Sequence, residues 1–172
     1  MDSLSGARIS LVTPDTPASL DATRAILREY AATLGVDLGF QGFDAELAGL
    51  PGAYAPPGGE LLLACVQDRL AGCGAFRPLL DVDDANACEM KRLYVRPEFR
   101  GLGLGRMLAQ ALVDRARQAG YSVMLLDTLN DMAAARELYG SLGFTETEPY
   151  YFNPIAGSHY FRLELDFGMS RY

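Results

Sequence analysis

Residues 95–108 read V-R-P-E-F-R-G-L-G-L-G-R-M-L. Each glycine costs a helix roughly 1 kcal/mol against alanine. Yet Gly101, Gly103 and Gly105 stand where a helical apolar pattern is about to begin. Glycine has no Cβ, so its N–H can approach a ligand closely and its φ can turn positive. The first turn of a helix adds unpaired N–H groups and a partial positive charge. Together they make an anion cradle, which points to a phosphate or diphosphate ligand. Arg96, Arg100 and Arg106 flank the stretch and can add charge at its rim. Spacing alone also permits a plain strand-to-helix turn. Two common phosphate motifs are absent. There is no G-x-x-x-x-G-K-[ST], and G-x-G-x-x-G fails because Arg106 and Leu108 stand where its last glycine belongs.

Working outward, C-E-M-K-R-L-Y-V at 88–95 reads as a strand. Leu104, Met107, Leu108, Ala111, Leu112, Ala116 and Ala119 then repeat at helical spacing up to Gly120. Y-S-V-M-L-L-D at 121–127 is a continuous apolar run, as in a strand buried on both faces. This order predicts a right-handed strand–helix–strand crossover with 88–95 and 121–127 parallel. A second helix is expected over 132–142, with Ala135, Leu138, Tyr139 and Leu142 on one face. Upstream, 8–13 reads as a strand. Thr16 and Pro17 read as the N-cap and first position of a helix ending at Gly35. Residues 35–59 form a Gly/Pro-rich connection around a short helical piece, 43–50, and such connections often line ligand sites. Residues 60–77 read as a hairpin, and 144–148 and 159–165 as closing strands.

The 172 residues suit one domain, 1–172, with 49% hydrophobic and 22% charged residues. The net charge of -7 argues against a nucleic-acid partner. No apolar run approaches the roughly 20 residues of a membrane span, and the N-terminus carries no pattern of a secretory signal. Cys65, Cys73 and Cys88 form no CxxC pair and His159 is the single histidine, so no metal site is expected. Three cysteines in strand-like apolar stretches read as buried thiols in a reducing, cytoplasmic setting.

Arg100-Gly101-Leu102-Gly103-Leu104-Gly105 resembles the (Q/R)-x-x-G-x-(G/A) signature of the GNAT superfamily of N-acetyltransferases. The strand K-R-L-Y-V-R-P before it, and A-R-E-L-Y-G-S-L-G-F downstream, resemble that superfamily too. The similarity is firmest over 88–144. The resemblance implies an α/β (α+β) fold, a mixed and mostly antiparallel sheet flanked by helices. It also implies that its two central parallel strands splay apart. Acetyl-CoA is the implied co-substrate, with its diphosphate on the amides of 101–106, including Arg106, and its pantetheine on the backbone of Leu93, Tyr94 and Val95. An amide freed by a bulge at about 93–95 would meet the carbonyl oxygen.

The activity implied is transfer of an acetyl group to a primary amine of a small molecule or amino acid. A peptide or protein lysine, or a non-catalytic acyl-CoA-binding module, are the alternatives, with an unrelated diphosphate binder behind them. A lysine-like ammonium, of pKa about 10.4, costs roughly 4–5 kcal/mol to neutralise at pH 7. Glu89 is the candidate base, eleven positions before Arg100 (100 − 89), acting directly or through water. It also reads as an ion-pair partner for Lys91, Arg92 or another cation. Tyr139, in the tyrosine position of the L-Y-x-x-x-G-F segment, is the candidate acid toward the departing sulfur, and it also reads as a core tyrosine. The superfamily often carries asparagine seven positions earlier, where Met132 stands here. Tyr151 and Asn153 are candidate acceptor contacts, with Tyr150 and His159 nearby, and His159 fits a strand start. The oligomer considered is a homodimer.

Overall fold

Thr16 starts the first helix by a reciprocal cap. Its hydroxyl accepts from the Ser19 N–H, and Ser19 Oγ accepts from the Thr16 N–H, with Pro17 at the first helical position. The computed structural model describes residues 6–35, 37–128 and 133–165. In chain order the elements are β1 (Ile9–Val12), α1 (Pro17–Thr33), α2 (Phe43–Ala48), β2 (Glu60–Val66) and β3 (Arg69–Leu79). They continue with β4 (Ala87–Val95), α3 (Leu104–Gln118), β5 (Val123–Thr128), α4 (Ala133–Ser141), β6 (Thr145–Thr147) and β7 (His159–Glu164). Met132, where the resemblance leads one to look for asparagine, lies outside the described residues.

The strands form one sheet in the order β1-β2-β3-β4-β5-β7-β6. Every neighbouring pair is antiparallel except β4 and β5. The β2–β3 hairpin turns on Gln67 and Asp68, both at positive φ, as a two-residue hairpin with right-handed strand twist requires. β4 and β5 are parallel neighbours joined through α3, the strand–helix–strand order the sequence predicts.

Side-chain alternation along the strands fills two cores. On one face Leu62, Phe76, Cys88, Met90, Met124 and Leu126 meet Leu104, Leu108 and Leu112 of α3 and Tyr139 of α4. On the other, Leu61, Leu63, Cys73 and Ala75 meet Ile26 and Leu27 of α1 and Phe43 and Leu47 of α2. Cys73 and Cys88 are buried and Cys65 is half-buried, all as free thiols. Among the described residues, no helix is long and apolar enough to cross a membrane, and no cluster of His, Cys, Asp and Glu could hold a metal ion.

Candidate active site

The parallel pair β4–β5 stays together for three positions only: Ala87 with Val123, Cys88 with Met124, and Glu89 with Leu125. Beyond them β4 runs on to Val95 and β5 to Thr128 with no further pairing between them among the described residues. A bulge turns β4 away. Cys73 opposes Tyr94 and Ala75 opposes Lys91, so Arg92 and Leu93 together oppose Gly74. Arg92 takes φ +63, a left-handed conformation that costs a residue with a Cβ about 1–2 kcal/mol. Its guanidinium is tied down in return. Nε and Nη2 donate to Glu46 at 2.9 and 3.0 Å, Nη1 donates to Gln41 at 2.9 Å, and the Phe43 ring lies 5.1 Å from Cζ. Opposite the bulge, a Cβ on Gly74 would stand 2.9 Å from Leu112 Cδ1 and 3.2 Å from Leu93 Cδ1. The edge of β4 that faces β5 is therefore left without a strand partner from Met90 onward, and its polar backbone groups are open to a ligand.

The glycine turn follows. Gly101 and Gly103 take φ +89 and +79, and Gly103 is the N-cap of α3. A Cβ on either would meet nothing within 4 Å, so glycine is demanded by conformation and not by crowding. Leu102 is half-buried against the core, and Leu104, 1% exposed, anchors the first helical turn. Arg100 Nε donates to the Val95 carbonyl at 3.2 Å, fastening the turn to the end of β4. Arg106 Nη1 donates to Ser141 Oγ of α4 at 2.5 Å. Arg96 is not at the rim. It pairs with Glu29 at 3.1 Å and donates to the Leu70 carbonyl at 2.9 Å, because α1 packs over that end of the sheet. The Tyr94 hydroxyl also turns to Glu29, at 3.0 Å, so only its backbone faces the gap.

Glu89 and Lys91 alternate with the core residues Cys88 and Met90 and project from the opposite face of β4. Glu89 is 2% exposed. Its Oε1 accepts from Arg77 Nε and Nη2 at 3.1 and 3.0 Å and lies 3.9 Å from Lys91 Nζ. Its Oε2 accepts from the Tyr150 hydroxyl at 2.7 Å. Lys91 Nζ donates to Gln41 Oε1 at 3.3 Å. Burial lowers the pKa of this ammonium below the ordinary lysine value, against the pull of Glu89. Asp127, near the end of β5, accepts on Oδ2 from the Tyr151 hydroxyl at 2.5 Å, and Asn153 Nδ2 donates to that same hydroxyl at 3.1 Å. Tyr150, Tyr151 and Tyr160 pack ring against ring, with centroids 5.4 to 5.9 Å apart. His159 begins β7, with Nδ1 3.7 Å from Glu146, as a strand residue.

A cavity of about 100 Å³ opens where β4 and β5 part, lined among others by Lys91, Leu93, Asp127, Thr128 and Tyr139. A neighbouring cavity of about 290 Å³ takes in Arg77, Glu89, Tyr151 and Phe152 and shares Gln41 and Lys91 with the first. Tyr139 is 7% exposed, packed against Phe144 and Phe161 at 5.7 and 6.0 Å. Burial pushes its phenol well above the ordinary tyrosine value, and it pushes Tyr30, on the same cavity, up to about 12. Thr128 Oγ1 is buried and has no hydrogen-bond partner among the described residues, a group that a ligand in the cavity would satisfy.

Sequence reading did not single out Asp127, Arg77 or Gln41, and it saw Lys91 only as a partner for Glu89. The signal for Asp127 was its place at the C-terminal end of a buried parallel strand, where open α/β sheets bind ligands. The signal for Lys91 was its i, i+2 relation to Glu89 on one strand face.

Residues 24–144 match the family model of the acetyltransferase (GNAT) family. An uncharacterized N-acetyltransferase of Schizosaccharomyces pombe is 44% identical over 160 residues, covering 92% of this chain and 96% of that protein. An uncharacterized N-acetyltransferase of Escherichia coli is 31% identical over 134 residues, covering 78% of each. Among solved structures, a protein of Salmonella typhimurium described as an acetyltransferase, with its cofactor acetyl-CoA, superposes with a TM-score of 0.70 at 26% identity, covering 92% of this chain and 94% of that one. The parted β4–β5 pair, the open glycine turn and these likenesses agree: the chain belongs to the GNAT family of acetyltransferases and is an acetyl-CoA-dependent N-acyltransferase.

Proposed function

We propose that the protein moves an acetyl group from acetyl-CoA directly to the primary amine of a small molecule or amino acid. The observation that carries this reading is a cavity between the parted strands that Asp127 and Tyr139 both line. The residues present fit acetyl-CoA. The amides of 101–106 suit its diphosphate, and the unpaired edge of β4 at Leu93, Tyr94 and Val95 suits its pantetheine amides and the carbonyl oxygen. The co-substrate supplies an activated acetyl group, and the chain must supply proton transfer and charge stabilisation.

The acceptor arrives as an ammonium, and a nearby carboxylate must take its proton before nitrogen attacks. Glu89 is the base implied by the family resemblance. Both of its oxygens already hold donors from Arg77 and Tyr150, and it lines the neighbouring cavity. Asp127 shares the cavity with Tyr139, so we assign it the proton. Glu89 becomes the anion that positions Arg77 and Lys91. Tyr151 and Asn153 then act through Asp127, holding its carboxylate in place.

In the balanced step, a nitrogen–carbon bond forms and the carbon–sulfur bond breaks. Nitrogen loses two protons in all: one goes to Asp127 before attack and leaves to solvent afterwards, and the other ends on the departing sulfur, passed through the Tyr139 hydroxyl. A phenol kept protonated by burial is suited to that donor role. The test is thiol release from acetyl-CoA by the purified protein across amino acids, polyamines and lysine peptides, with the acceptor's mass followed in parallel. Thiol release matched by one added acetyl group per acceptor is expected. Tight acetyl-CoA binding with no transfer to any amine would mean an acyl-CoA-binding module instead.

A further inference from the structure

Apart from the exposed Asp81 on the larger cavity, the acceptor face carries three cations, Arg77, Lys91 and Arg92, and three anions, Glu46, Glu89 and Asp127. Two pairs close on themselves. Arg92 is held by both oxygens of Glu46, and Arg77 by Glu89 with two hydrogen bonds. That leaves Lys91 and Asp127. They line the same cavity from opposite walls of the gap between β4 and β5, and among the described residues no ion pair joins them. Lys91 is 7% exposed; among the described residues it is contacted by Gln41 at 3.3 Å and the already engaged Glu89 at 3.9 Å, and it feels the charge of Asp127 across the gap.

From this geometry we infer that the acceptor is a zwitterion of the amino-acid class, its ammonium on Asp127 and its carboxylate on Lys91. This rests on the acetyl-transfer reading above and narrows it. A buried charge is costly unless it is closely paired, so a ligand is favoured when it answers both charges at close range. A plain amine answers Asp127 and leaves Lys91 with only the long contact to Glu89, and a polyamine brings a second cation toward Lys91. A peptide N-terminus has no carboxylate beside its amine. Leu34, Met90, Leu93 and Ala135 supply apolar wall to the same cavity, and Arg92, which also lines it, is already held by Glu46, so an uncharged side chain suits it. Gln41 and Lys91 continue into the larger cavity beside Tyr151 and Phe152, with room for the rest of that side chain.

The test compares kcat/KM, by thiol release at saturating acetyl-CoA, for each protein amino acid, its amide and its decarboxylated amine, with spermidine alongside. For the amino acids that turn over, the free acid is expected to exceed its amide on the order of tenfold to a hundredfold, as a hydrogen bond to a charged group warrants. Lys91→Met is expected to bring that ratio close to one, mainly through KM, and Lys91→Arg to retain a preference for the acid. The wild-type ratio stands as a test whatever the variants do, and acetyl-CoA affinity reports whether each variant is folded. Amides, plain amines or spermidine acetylated as well as the acids would overturn the zwitterion while leaving acetyl transfer intact. Acetyl-CoA binding with no turnover of any amine would overturn both.

Discussion

Two carboxylates, Glu89 and Asp127, line neighbouring cavities, and their surroundings differ. Glu89 is enclosed by Arg77, Lys91 and Tyr150, whereas Asp127 meets Tyr151 and the cavity. Glu89→Gln is therefore expected to act first on stability. It leaves the half-buried Arg77 guanidinium without its anion, at a cost of roughly 1–3 kcal/mol, readable as a lower urea midpoint. Its kcat should fall by less than about tenfold, since less than 1.4 kcal/mol of transition-state stabilisation is at stake. A loss of several hundredfold with unchanged stability would return the base role to Glu89. Tyr139→Phe keeps the ring contacts with Phe144 and Phe161 and removes the hydroxyl. We expect kcat to drop on the order of tenfold to a thousandfold with little change in acetyl-CoA affinity, as for other donors that act on developing charge. An unchanged kcat would make Tyr139 a core residue alone.

At the scale of elements, the bulge in β4 and the glycine turn do complementary jobs: one opens a strand edge, the other starts a helix with its amides free. The turn was legible in the sequence because only glycine serves at φ +89 and +79. The bulge was not legible in position. Its left-handed residue is Arg92, and an arginine in an apolar-edged strand carries no local sign of positive φ. What holds it is Glu46, forty-six residues away in sequence. Glu46→Ala is accordingly expected to cost about 3–5 kcal/mol, because it strands a nearly buried guanidinium. The loosened bulge should also weaken acetyl-CoA binding on the order of tenfold, or 1.4 kcal/mol. Calorimetric titration with acetyl-CoA at a temperature where the variant stays folded reads this directly, and an unaltered Kd would detach the bulge from cofactor binding.

For the whole molecule, burial sets the alkaline limit. It raises Cys73 and Cys88 from 9.0 to about 12 and Tyr30 from 10.0 to about 12, and it raises Tyr139 and Tyr54 further. A raised folded pKa means that the folded chain keeps protons the unfolded chain has lost. This stabilisation is fully present below pH 9 and is lost as pH rises from 9 through about 12. Lys91, with its lowered pKa, works in the opposite sense but is a single group. One unit above 9 the two thiols alone should remove about 2–3 kcal/mol, so the urea midpoint should fall between pH 8 and pH 10. A midpoint that holds or rises would contradict this account of burial. The β4–α3–β5 crossover, two parallel neighbours joined by a helix, was legible from an apolar run and a helical period. The insertion of β7 between β5 and β6 was not, since local pattern carries no strand order. Asp127 was missed for a related reason: read along the chain it ends an apolar run, and only the sheet sets it opposite Lys91.

Asp127, at the parting of β4 and β5, is assigned the proton of the attacking amine. Single-turnover acetyl transfer by Asp127→Asn beside the wild type, with acetyl-CoA affinity measured on both, decides this assignment. An unchanged acetyl-CoA Kd is expected, with a transfer rate lower by about a hundredfold or more, the range of general-base catalysis. A variant that transfers acetyl as fast as the wild type would contradict it.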